Sequence, residues 1–228
     1  MKAWSYSSIS LFEQCPKKYY HLRIVKDVVE PESEHLIYGK AFHLAAEEYI
    51  RDGKPIPDKF AYAKPMLEKL NSLSGEKLCE HEMGLKYVNG RFTPCDFNDL
   101  SAYCRGIADL LILDRENKEA RLVDYKTSKS AQYADTKQLK LLAAMTFIHF
   151  PEIRVIKAGL LFVVANDFVK AEYDANFALA YMQHFKPTVE QLAESIEVNT
   201  WNPKPNFSCR GWCPVNTCAH WEQKRNYK

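Results

Sequence analysis

Apolar residues along this 228-residue chain recur first at helical spacing, then at strand spacing, then at helical spacing again. Ile9, Leu11, Phe12 and Cys15 form a partly helical apolar face. Ser10-x-x-Glu13 resembles a capping box for it, and Ser7 or Ser8 could cap equally well. After Pro16, the run Lys17-Lys18-Tyr19-Tyr20-His21-Leu22-Arg23 mixes basic and aromatic side chains, and residues 31–34 read as a loop. The spacing of Phe42, Ala45, Ala46 and Tyr49 predicts a helix over 38–51, stopped by Asp52-Gly53. Residues 58–72 predict a second helix, disturbed by Pro65.

At the centre the period shortens. Residues 78–88, 103–113 and 120–126 have strand character, separated by Asn89-Gly90 and by Asp114-Arg115-Glu116-Asn117. A helix over 135–150 ends before Pro151. A buried strand is expected over 154–165, a short strand near 168–173 and a long helix near 175–197. The last thirty residues carry Pro203, Pro205 and three cysteines and are expected to be irregular. Helices, three strands, a helix and a strand make an α/β arrangement with a mixed central sheet flanked by helices.

Bulk composition narrows the class. Hydrophobic residues are 46% and charged residues 26%, as in an ordinary soluble globular protein, and the length suits one domain, 1–228. A net charge of +2 neither demands nor excludes nucleic acid, because a local basic face binds phosphates under a near-neutral total. No apolar run approaches the roughly 20 residues of a membrane span, and the N-terminus lacks a signal-peptide core. Seven cysteines do not form a secreted disulfide framework. Three crowd into 209–218, which favours metal binding in a reducing compartment and a cytoplasmic location.

Asp124-x-Lys126 is a weak signal alone, but its context strengthens it. Two residues apart on a strand, both side chains face one way. Asp109 stands in the preceding strand, after Gly106. If these strands pair, two carboxylates and an ammonium converge at one rim. The carboxylates would be hard ligands for Mg²⁺ or Mn²⁺, and the lysine could orient water and steady charge on a phosphate.

Read in order, Ser8-Ile9-Ser10-Leu11-Phe12-Glu13-Gln14-Cys15-Pro16, Gly39-x-x-x-His43, Gly106-x-x-Asp109, Asp124-Tyr125-Lys126-Thr127 and Gln138 resemble the RecB-like branch of the PD-(D/E)XK nuclease superfamily. The resemblance implies a restriction-endonuclease-like core. It implies that His43, Asp109, Asp124 and the Tyr125 carbonyl bind the metal, that Lys126 is the catalytic lysine, and that Gln138 sits in a helical Gln-x-x-x-Tyr motif. Here the Tyr position is Leu142. Glu47, Glu80 and Glu82 are possible accessory carboxylates, with surface ion pairing the expected role of each.

Cys209, Cys213 and Cys218 need a fourth thiol for a four-cysteine site, and Cys15 is the candidate. In iron–sulfur members of the family one N-terminal and three C-terminal cysteines hold a [4Fe–4S] cluster. That would clasp a tail at 199–228 back onto the N-terminal helix. The spacing here is three then four residues, where the family pattern is two then five. Zinc with four thiolates and plain reduced thiols remain alternatives, and His220 is close enough to compete. Lys17, Lys18, Tyr19, Tyr20 and Arg23 could track single-stranded DNA, and Lys129, Lys137 and Lys140 follow the proposed site. The resemblance implies a metal-dependent DNA exonuclease of recombination, repair or phage DNA processing. The alternatives are a CRISPR spacer-processing nuclease working with an adaptation partner, and a DNA-binding subunit with a decayed site.

Overall fold

The computed structural model describes residues 2–132 and 134–223; the end of the expected tail, 224–228, lies outside them. In chain order the helices α1 (Tyr6–Gln14) and α2 (Pro16–Tyr19) lead into a π-helical turn, Tyr20–Val25. Helix α3 (Glu34–Asp52), a 3₁₀ segment (Asp58–Ala63) and α4 (Lys64–Asn71) follow. Then come strands β1 (Glu76–Val88), β2 (Arg91–Cys95), β3 (Cys104–Asp114) and β4 (Glu119–Lys126). After α5 (Lys137–His149) the chain adds β5 (Val155–Phe162), β6 (Asp167–Asp174), α6 (Ala178–Gln183) and α7 (Lys186–Glu197). Two compact units result, Ser33–Gln183 and the two chain ends taken together, up to Glu32 and from His184 onward.

The structure moves several predicted boundaries, each for a local reason. Helix α1 starts at Ser5, which forms a capping box with Ser8, so the Ser10-x-x-Glu13 signal falls inside the helix. Helix α3 begins one turn early because the Ser33 hydroxyl accepts from the Leu36 N–H at 3.2 Å. Pro65 stands in the first turn of α4, where its missing N–H costs nothing, and the residues before it wind as 3₁₀. The long helix expected over 175–197 is broken at Phe185, with Pro187 opening α7. Strand β2 was not expected at all. Pro94 lies in it, and a proline is tolerated there because β2 is the edge of the sheet.

The larger unit is built on a six-stranded sheet of order β2-β1-β3-β4-β5-β6. Pairing is antiparallel except between β4 and β5, which run parallel and are joined through α5. On one face Phe42, Ala46, Phe60 and Leu67 pack with Leu110, Ile112 and Val123. Each fully buried Leu or Phe contributes about 1.5–3 kcal/mol, so this cluster seats α3 and α4. Helix α5 is buried along most of its length, from Leu139 to Phe147. It lies close over β3: a Cβ on Gly106 would meet Leu142 Cδ2 at 2.8 Å and Met145 Sδ at 2.9 Å.

In the unit formed by the chain ends, Trp4, Ile9, Phe12, Phe185, Val189 and Leu192 are buried. Among the described residues the tail from residue 199 is irregular apart from a 3₁₀ turn, Phe207–Cys209, and an isolated bridge between Arg210 and Glu222. It is hydrogen-bonded to the end of α1 through Lys204 Nζ to the Glu13 carbonyl at 2.9 Å and Asn206 Nδ2 to the Gln14 carbonyl at 3.1 Å.

The tight approach of α5 makes a specific demand on Gly106. Gly106→Val overpacks this contact and is expected to lower unfolding free energy by about 1–3 kcal/mol, read from the shift in urea midpoint.

Candidate metal centre

Strand β4 ends at Lys126, and the titratable groups collect around that end. Asp124 is almost wholly buried, at 1% exposure. The Lys126 ammonium ion-pairs with it and lies 3.4 Å from Gln138 Oε1 on α5. Asp124 Oδ2, the oxygen that faces the Lys126 ammonium, accepts no other hydrogen bond.

The β3–β4 ladder runs from Asp114↔Glu119 to Leu110↔Val123. One step further the register sets Asp109 opposite Asp124, and there the backbone pairing gives way to a side chain. Asp109 Oδ2 accepts the Tyr125 N–H at 2.7 Å. On the other side, β1 pairs with β3 through Cys79↔Leu110 and His81↔Ala108, so Glu80 stands opposite Asp109. Glu80, Asp109 and Asp124 thus occupy one row across three neighbouring strands. Glu80 has φ +45°, the left-handed region that a non-glycine residue adopts at a cost of about 1–3 kcal/mol and that clusters at functional sites.

Helix α3 supplies the imidazole. His43 Nδ1 lies 3.5 Å from Glu80 Oε1 and 3.5 Å from Asp109 Oδ2, and Nε2 lies 3.2 Å from the Tyr125 carbonyl. Gly39, one turn earlier, would bring a Cβ to 3.4 Å from Thr127 Oγ1, so a small residue there lets α3 lie against the strand end.

Burial and crowding set the charges. Burial, then the neighbouring Asp124 carboxylate, push the Asp109 carboxyl up to about 7, against the pull of His43 and the Tyr125 N–H. For His43, burial opposes the charged form, but Glu80, Asp109 and Asp124 outweigh it and raise the pKa. Donor atoms of His43, Glu80 and Asp109 gather within 4.8 Å of one another. Two carboxylates and an imidazole, with Asp124 alongside, suit a divalent cation whose charge offsets their mutual repulsion.

Most of the residues expected from the sequence meet here: His43, Asp109, Asp124, Tyr125, Lys126 and Gln138. Glu80 joins them, where a surface ion pair had been expected; only its register with Asp109 reveals it, and the long excursion through β2 hides that register in the sequence. Glu47, its side chain largely buried, pairs with Arg51 one turn further along α3. Leu142, at the expected Tyr position, is a buried core residue on the α5 face over Gly106.

Cys15, Cys209, Cys213 and Cys218 line one small cavity, with His220 at its edge. Backbone N–H groups of Lys204 and Asn206 point at the sulfurs of Cys15 and Cys209, at 3.4 and 3.5 Å. Among the described residues, no three of these sulfurs lie within 4.8 Å of one another. Cys79, Cys95 and Cys104 lie on β1, β2 and β3, and burial pushes the Cys104 thiol up to about 12, leaving it inert. The basic–aromatic run differs from the expected DNA track at two positions. Lys18 is buried and paired to Glu30 at 2.9 Å, and Tyr19 is buried with its ring stacked on Trp201. Arg23 is exposed, and Lys17 and Tyr20 are half-buried, with the Tyr20 ring against Trp201.

A mixed sheet flanked by helices, with acids, a histidine and a lysine gathered at one strand end, is the restriction-endonuclease-like α/β fold. The chain belongs to the PD-(D/E)XK nuclease superfamily, whose family model matches residues 3–218. Among solved structures it is similar to a protein of Eubacterium rectale named "putative exonuclease", at 11% identity and a TM-score of 0.55, covering 100% of this chain and 90% of that one. It is also similar to SSO0001, at 14% identity and a TM-score of 0.49, covering 98% of this chain and 89% of that one. No curated protein matches it. Among the described residues no helix is long and apolar enough to cross a membrane.

The crowded carboxylates set the expected pH response of the metal-free protein. Asp109 and His43 both hold protons more tightly when folded than when unfolded, so their stabilising contribution is present at low pH; that of Asp109 is lost as pH rises to about 7, and that of His43 is lost above the ordinary imidazole value. In a chelator, thermal melts should fall between about pH 4 and 7, the interval between the ordinary and the raised Asp109 value. Asp109→Asn should flatten that slope and abolish the upward shift that Mn²⁺ gives the wild type.

Proposed function

We propose that the protein is a divalent-metal-dependent deoxyribonuclease that hydrolyses DNA from its ends. The observation that carries this reading is the row Glu80, Asp109 and Asp124, flanked by His43 on one side and Lys126 on the other. His43, Glu80, Asp109 and Asp124, with the Tyr125 carbonyl, would hold Mg²⁺ or Mn²⁺. When bound, the ion makes water acidic enough to attack at neutral pH and offsets charge on the phosphate.

The chain's own groups do the rest. The Tyr125 N–H fixes the Asp109 carboxylate, so that it cannot swing away from the row. Gln138 Oε1 and Asp124 hold the Lys126 ammonium at the strand end. From there it donates to the attacking water or to a phosphate oxygen as charge develops. Burial of Asp109 and Asp124 keeps bulk water from screening these charges. The exposed Lys129 and Lys137 after the site, with Lys140, suit backbone contacts, and the absence of a base-reading motif suits a nuclease indifferent to sequence. Recombination, repair and phage DNA processing use such enzymes.

The same reading assigns Cys15, Cys209, Cys213 and Cys218 to a [4Fe–4S] cluster. Backbone N–H groups aimed at sulfur favour thiolates. A tetrahedral zinc site holds its sulfurs about 3.8 Å apart at a Zn–S length of about 2.3 Å. The arrangement of one N-terminal and three C-terminal cysteines around one cavity favours the cluster over zinc. Its role would be to staple the tail to the end of α1.

Anaerobically purified protein with Mn²⁺, given end-labelled linear and closed circular DNA, tests the activity. Loss of label from linear DNA alone is the expected outcome. Cleavage of circles would make it an endonuclease, and binding without cleavage would make it a DNA-binding subunit. Asp124→Ala and Lys126→Ala should each lower the rate about 100-fold or more. Iron and sulfide analysis of the same preparation should find both in the wild type and lose both in Cys15→Ala; zinc in their place would overturn the cluster assignment.

A further inference from the structure

A cavity of about 670 Å³ lies between α4 and the exposed part of the sheet, and none of the metal-centre residues lines it. Its size falls among small-ligand sites, about 300–1,000 Å³. The floor comes from adjacent strands in register: Arg121 of β4 beside Lys157 of β5, and Val123 beside Gly159, itself beside Lys170 of β6. Gly159 makes room for an aromatic lid on the floor, since a Cβ there would strike the Phe168 ring at 2.2 Å. Phe168 remains 39% exposed. Leu70 and Lys69 of α4 form the facing wall.

The electrostatics of this floor are unbalanced. Arg121 and Lys157 are like charges at directly paired strand positions, an arrangement that destabilises a sheet. Lys157 is relieved by Glu119 at 2.8 Å. Arg121 Nη1 is buried with no hydrogen-bond partner, which is costly for a guanidinium donor. The cavity is lined by four cations, Lys69, Arg121, Lys157 and Lys170, against two acids, Asp167 and Glu172.

We infer that this cavity binds a small amphipathic anion, with one phosphate, carboxylate or sulfonate group against Arg121 and an aromatic or aliphatic body on Phe168, Leu161 and Leu70. Such a ligand offsets the Arg121–Lys157 repulsion and covers the apolar floor. A nucleoside monophosphate and a fatty or aryl acid both have this chemistry.

Calorimetric titration of the full chain with deoxyadenosine monophosphate, with dodecanoate and with inorganic phosphate separates them. One amphipathic probe is expected to bind saturably at one site, at least about tenfold tighter than inorganic phosphate. Binding of the nucleotide alone, or of dodecanoate alone, identifies the source. Arg121→Gln and Lys170→Gln should each weaken binding, by about tenfold for the first, since it removes a charge-assisted contact. Asp124→Ala should leave it unchanged. Lys170→Gln changes only the exposed rim, so it decides the matter if Arg121→Gln fails to fold. The inference is overturned if neither amphipathic probe saturates, if binding survives both substitutions at full strength, or if Asp124→Ala abolishes it.

Discussion

At the rim of the sheet one buried carboxylate replaces a backbone carbonyl. Asp109 accepts the Tyr125 N–H just where the β3–β4 ladder stops, and the metal centre depends on that substitution. The bond fixes Asp109 without using up both oxygens, and it holds the end of β4 so that Asp124 and Lys126 project from a rigid element. Removing the bond would leave a buried N–H unpaired and a buried charge unanchored.

The centre is paid for in stability. Three carboxylates in one row repel, Glu80 is held in a left-handed backbone conformation, and Asp109 is pushed toward protonation near neutral pH. The surrounding core offsets this: α3 is seated by Phe42 and Phe60, α5 by its nearly complete burial, and both carry site residues, His43 and Gln138. Local strain persists because packing on both faces of the sheet leaves these groups no alternative arrangement. The cavity beside α4 poses the same kind of problem with opposite sign, a cluster of cations on a sheet face with too few acids to balance them.

Much of the candidate site was legible in the sequence because its signals are local. Two residues along a strand face one way, so Asp124 and Lys126 had to share a face, and a helical period put His43 on a helix. Boundaries were misread where one residue type has two uses. Pro65 opens a helix that it was expected to disturb, and Ser5 caps α1 ahead of three serines that could have done so. Lys18 and Tyr19 looked like DNA contacts because charge and aromaticity are visible in a sequence and burial is not.

By itself the sequence determined the period of each element, the order of the elements and the chemical inventory, because these follow from side-chain size, polarity and spacing along the chain. Only the tertiary structure decided which groups meet. Glu80 reaches Asp109 through the pairing of β1 with β3, although the whole β1–β2 excursion separates them along the chain. Arg121 and Lys157 become neighbours through the parallel crossover by way of α5. Register is a property of paired strands, and no single strand carries it.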